Sequence, residues 1–111
     1  MFKLEEAQGV SIICIEKDRL DSIVAPELKT QLLLLVDQGT TNILIDLSNV
    51  GYADSSGLGA LLFGLRQIKN LGGQLKLCGA NKKIMNLIKI ARLDSVLLNF
   101  DNRSGALDSF N

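Results

Sequence analysis

Apolar and polar positions follow two periods along this chain. Residues 2–6 (FKLEE) and 10–15 (VSIICI) read as strands, and AQG between them predicts a hairpin turn. KDRLDS follows as a polar loop. A helix then starts at Ser22 or Ala25, with Pro26 in its first turn, where a missing N–H costs little. It runs to about Asp37 and stops near Gly39. Leu28, Leu32 and Leu35 recur at helical spacing, whereas Leu33 and Leu34 fall off that face. TNILIDLS is a continuous apolar run between polar flanks, the pattern of a strand covered on both faces. The next helix spans about Gly57 to Asn70, with Leu58, Leu61, Leu62, Leu65 and Ile68 on one stripe and LGG as its stop. QLKLCG reads as a strand. NKKIMNLIKIARL reads as a helix with Ile84, Leu87, Ile88 and Ala91 on one face. VLLNF is a short strand, and residues 103–110 (RSGALDSF) make a closing helix.

The order is β-β-α-β-α-β-α-β-α. Strands alternating with helices after an opening β-hairpin predict an α/β fold. Its mixed, mostly parallel sheet has about five strands, with about four helices packed on it. The 111 residues fit a single domain, 1–111, and no internal repeat or linker interrupts them.

Charge narrows the function. Twelve basic and twelve acidic residues give a formal net charge of zero. That argues against direct nucleic-acid binding and against a bulk grip on anionic membrane. Lys82 and Lys83 furnish a solvated helix start. The apolar runs LLLLV and GALLFGL are far shorter than the roughly 18 residues of a membrane span. MFKLEEAQG has no signal-peptide core, so the expected location is cytoplasmic, without membrane insertion. Cys14 and Cys78 sit in apolar strand runs without metal spacing and read as buried free thiols. The chain has no histidine, which removes the usual general base and His-ligated metals.

The chemistry concentrates in DLSNVGYADSSGLGALL, where a strand hands over to a helix. A helix start has unpaired N–H groups and partial positive charge, and Ser55 or Ser56 can serve as its N-cap. One serine is enough for a cap, and here there are two. Gly57 and Gly59 add two poor helix formers to the first turn, as where a backbone or ligand must come close. Gly57, Ala60, Gly64 and Gln67 form a smooth stripe beside the leucines, and Phe63 lies nearly opposite them. This is either a docking surface or, for Phe63, a side chain tucked under a loop. GLGALLFG does not complete G-x-G-x-x-G, because Leu62 stands where glycine is needed. Neither a P-loop nor an S-x-x-K pair is present. Asp54 is a lone carboxylate, so the expectation is a non-enzyme without cofactor or metal.

D54-S-S-G-L-G-A-L-L resembles the signature of STAS domains, in particular the stand-alone anti-sigma factor antagonists of bacteria. RLDSIVAPELKTQLLLLV resembles that family's loop and first helix. NKKIMNLIKIARLDSVLLNFDNRSGALDSF resembles its C-terminal part. The resemblance implies a STAS fold and a regulatory switch. An anti-sigma factor, itself an ATP-using serine kinase, would bind the unphosphorylated protein and phosphorylate the second serine of the pair, Ser56, with Ser55 the lesser candidate. A PP2C-type phosphatase would reset it. Asp21 and Asp54 would belong to the docking surface, with Ser55, Ser56, Gly57, Leu58, Gly59, Ala60 and Phe63. STAS proteins also resemble a small subunit of lipid-transport ABC complexes, which gives an alternative role, and a nucleotide-binding STAS module is a third. Taken alone, Asp21 reads as a turn or cap residue and Asp54 as an Asx turn. LLLLV and Phe63 are apolar enough to mark a partner's footprint, a homodimer face or a contact in a larger assembly, and the residues leave these open.

Overall fold

The computed structural model describes residues 1–110; Asn111, the last residue of the expected domain, lies outside them. The elements run β1 (Phe2–Ala7), β2 (Val10–Ile15), β3 (Arg19–Leu20), α1 (Ala25–Asp37), β4 (Asn42–Asp46), β5 (Tyr52–Ala53), α2 (Ser55–Lys69), β6 (Gln74–Cys78), α3 (Lys82–Ile90), β7 (Asn99–Phe100) and α4 (Arg103–Asp108). The main sheet has five strands in the order β1-β2-β4-β6-β7. Only the β1–β2 hairpin is antiparallel; every other pairing in this sheet is parallel. This is the expected mixed sheet with four helices.

The hairpin forms where Gln8 and Gly9 both take positive φ, which suits a two-residue turn between twisted strands. Neighbouring residues of β2, β4 and β6 face opposite sides of the sheet. Ile13, Ile15, Ile43, Ile45, Leu75 and Leu77 enter the larger core with buried residues of α1, α2 and α3. Val10, Ile12, Leu44 and Cys78 enter a smaller core covered by Ala106 and Leu107 of α4. Both faces of the sheet are therefore covered, as the unbroken run in β4 requires. Where α1 and α2 cross, Gly64 lets Leu32 and Leu75 close in; a Cβ there would stand 2.8 Å from a Leu32 methyl.

Four expectations shift. The polar loop KDRLDS contains β3, which pairs in parallel with β5. α2 begins two residues earlier than Gly57, at Ser55. α3 ends at Ile90, since Arg92 takes a positive φ of 59° and closes the helix. VLLNF is strand only at Asn99–Phe100. Leu33 and Leu34 are exposed, as their position off the α1 stripe predicts.

The second face carries buried charge. Asp46 is only 5% exposed. Its Oδ1 accepts the Ser48 N–H at 2.9 Å and the Ser48 hydroxyl, and its Oδ2 accepts Arg103 Nε at 2.8 Å. Arg103 also bonds Glu5 on β1. Lys76 Nζ donates to the Ser109 carbonyl at 2.7 Å and lies 4.8 Å from the Phe110 ring centre. α4 is thus fastened to the sheet at both ends by cations. Cys14 and Cys78 are buried and each lies in register with Asp46. Burial, then the Asp46 charge, pushes both thiols up, Cys78 to about 12.

Candidate functional site

The turn between β4 and α2 is held by two remote segments. The Asp18 carbonyl accepts the N–H groups of Gly51 at 2.8 Å and Tyr52 at 3.1 Å. β5 then lies beside β3, with Arg19 opposite Tyr52 and Leu20 opposite Ala53. The Arg19 guanidinium sits 4.3 Å from the centre of the Tyr52 ring, a cation–π contact. From the other side, Asn81 Nδ2 donates to the Gly51 carbonyl at 3.1 Å, while its Oδ1 caps α3 through Ile84 N–H. The segment leading to α1 and the starts of α2 and α3 therefore meet around one turn.

Asp54 is the N-cap of α2. Its backbone is extended, and its Oδ1 accepts the Gly57 N–H at 3.0 Å. Neither serine has this task, contrary to the expectation that Ser55 or Ser56 caps the helix. The acid wins because it already stands at the last non-helical position and brings negative charge to the helix's positive end. Ser55 and Ser56 occupy the first two helical positions and are exposed. Among the described residues their hydroxyls make no hydrogen bond within the protein. Two free hydroxyls thus stand at the N-terminus of a 15-residue helix.

Gly57 admits a close backbone, one of the two reasons expected for a glycine there, and that backbone is the protein's own. Gly57 is buried, and a Cβ there would run into the Leu20 carbonyl oxygen and stand 2.8 Å from the Leu20 side chain. The glycine admits the protein's own β3. Leu58 and Ala60 also face inward, the latter fully buried. The stripe Gly57, Ala60, Gly64 is a packing surface inside the fold. Gly59 is exposed with open space around it. Phe63 is half-buried against the core and approached by Lys29 of α1 at 5.7 Å, so it joins the α1–α2 contact instead of standing free.

Asp21 lies just before α1. Its Oδ1 accepts the N–H groups of Ile23 at 3.0 Å and Val24 at 3.2 Å, and its Oδ2 lies 3.5 Å from Arg19 Nε. These bonds, the one from Val24 first, hold its carboxyl below the usual range. Asp21 thereby connects to the site through Arg19 and Tyr52. Beside it Ile23 is 76% exposed. The structure thus gathers Asp21, Asp54, Ser55, Ser56 and Gly59 at one end of the sheet and turns Gly57, Leu58 and Ala60 away from solvent. Arg19, Ile23, Tyr52 and Asn81 join this surface without having been singled out in the sequence. Only Asn81 had a local signal, an asparagine directly before a helix.

Three comparisons bear on this geometry. A family model described as "STAS domain" matches residues 1–106. The anti-sigma-B factor antagonist of Bacillus subtilis is 33% identical over 78 residues, covering 70% of this chain and 71% of that protein. Among solved structures, an anti-sigma factor antagonist from Mycobacterium paratuberculosis aligns with a TM-score of 0.87 at 22% identity, over 99% of this chain and 92% of that one. The Bacillus cell fate determinant SpoIIAA, in its phosphorylated form, aligns with a TM-score of 0.78 at 19% identity over the full length of both chains. At these identities the structural likenesses speak for the fold.

Proposed function

Because the chain belongs to the STAS domain family, among the anti-sigma factor antagonists, we propose that it captures an anti-sigma factor and lets go when Ser56 is phosphorylated. The captured factor is itself a serine kinase that uses ATP, and a PP2C-type phosphatase returns the protein to its binding form. The protein is then a substrate and a binding module, with no chemistry of its own.

One observation carries this: Asp54 caps α2 by itself and leaves both serine hydroxyls exposed and unbonded. A phosphate on Ser56 adds about −1.5 to −2 charges. The helix start tolerates that charge, since its free N–H groups and dipole face it. Asp54 beside it opposes the charge, and so does any acid on a docked partner. Repulsion and the cost of desolvating the phosphate across the contact weaken a partner by about 2–4 kcal/mol, roughly 30- to 1,000-fold in affinity. The switch requires no rearrangement of the fold. Ser55 precedes it on the same turn and remains the lesser acceptor. The docking surface then comprises Asp21, Ile23, Tyr52, Asp54, the two serines and Gly59.

The test is the intact mass of protein from its native cells, with peptide mapping of residues 51–66, and in vitro labelling by the co-purifying kinase. Phosphate on Ser56, lost in Ser56→Ala and retained in Ser55→Ala, is the expected outcome. Normal labelling of Ser56→Ala removes Ser56 from the site. Stable co-purification with a transport ATPase and no phosphate under any condition would overturn the switch.

A further inference from the structure

We propose that β1 is a self-pairing edge, through which two copies of this chain join their sheets in one defined register. β1 stands at the end of the five-stranded sheet, hydrogen-bonded to β2 on one side only. Which of its groups point outward follows from the hairpin. Glu16 N–H donates to the Met1 carbonyl, so Met1 opposite Glu16 is a hydrogen-bonded pair. Such pairs alternate along an antiparallel ladder. Lys3, Glu5 and Ala7 therefore direct their N–H and C=O groups to β2. Phe2, Leu4 and Glu6 direct theirs out of the sheet, where they form a template for another strand.

A two-fold axis restricts how a strand meets its own copy: if one residue lies opposite another, the reverse also holds. The outward groups must also face each other, so Phe2, Leu4 and Glu6 pair among themselves. Three central registers meet both conditions. Phe2 opposite Leu4 puts the two Lys3 ammoniums face to face. Leu4 opposite Glu6 does the same to the two Glu5 carboxylates. Only the register with Leu4 on the axis and Phe2 opposite Glu6 pairs unlike charges, setting Lys3 of each copy against Glu5 of the other, twice. Like charges directly opposite destabilise a ladder and unlike charges support it. The sequence FKLEEA thus selects one register.

The side chains agree. Leu4 is 51% exposed, unusual for a leucine in a sheet, and on the axis it meets its own copy. Glu5 gives Oε2 to Arg103, while its Oε1 holds only a loose 3.8 Å contact with its own Lys3. That oxygen is free to take a second copy's Lys3. Three pairs of outward residues provide up to six backbone hydrogen bonds, enough for an association that depends on concentration.

Sedimentation of the full chain over a range of concentrations, with amide exchange at each, tests this. The expected result is a monomer–dimer equilibrium in which the Leu4 and Glu6 amides gain protection as dimer accumulates. The Lys3 and Glu5 amides, already bonded to β2, should not change. Lys3→Glu places like charges at both central pairs and should weaken the dimer by about tenfold or more. Leu4→Pro removes an outward N–H and should abolish it, while a normal melting curve certifies that the monomer still folds. Wild-type protein that is monomeric at every concentration overturns the proposal. So does a dimer indifferent to Lys3→Glu, or one that protects amides elsewhere and leaves Leu4 and Glu6 exchanging.

Discussion

Asp54, Ser55, Ser56 and Gly57 are four neighbours in three different environments. Asp54 spends its carboxylate on the helix, the serines face solvent, and Gly57 receives the Leu20 carbonyl. A glycine beside exposed serines would, from its neighbours alone, suit a partner's approach, so that substitution blocks docking and spares the fold. The contact with Leu20 reverses that. Gly57→Val should destabilise the protein by about 1–3 kcal/mol, because the displaced group is backbone and cannot swing aside. Chemical denaturation measures this directly; a variant as stable as the parent, yet unable to bind, would restore the earlier view. The difference was invisible in the sequence because Leu20 is 37 residues away. No local pattern reports which distant carbonyl lies against a glycine.

Elements long enough to show a period were legible. α1, α2, β2, β4 and β6 all stand where apolar spacing put them, and the closing helix 103–110 appears as α4 (Arg103–Asp108), ending two residues earlier. β3 and β5 have two residues each, and alternation cannot declare itself over two positions. They exist because the Asp18 carbonyl draws in Gly51 and Tyr52. The charges under α4 were also missed, since an aspartate ending a strand and an arginine opening a helix each look solvated on their own. Asp46 carries a consequence for acid stability. Burial works to raise its carboxyl, but the bonds from Ser48 and Arg103 overcome this and hold it below its ordinary value. The unfolded chain therefore takes up the proton first. The stabilisation is complete above the usual carboxylate range, about pH 4, and drains away as pH falls through the lower folded value. Denaturation midpoints should drop over that interval, and Asp46→Asn should flatten the slope. An unchanged slope would place the acid sensitivity on other carboxylates.

At the scale of the whole molecule, the chain follows the STAS plan of a covered sheet, with the serine turn at one end. No helix among the described residues is long and apolar enough to cross a membrane. The surface around the serines draws on residues 18–23, 51–59 and 81, which only the completed fold brings together. If the proposed kinase reads this surface, it gains a built-in proofreading step, because an unfolded or nascent chain offers it the serines without their setting. A synthetic peptide of residues 51–66 should be a poor substrate beside the intact protein, with phosphate incorporation lower by about a hundredfold or more when docking energy is lost. Comparable labelling of peptide and protein would mean that the kinase reads the local sequence alone. If the protein wins, signalling and quality control coincide: only a correctly assembled copy enters the cycle, and damaged molecules fall silent without having to be destroyed.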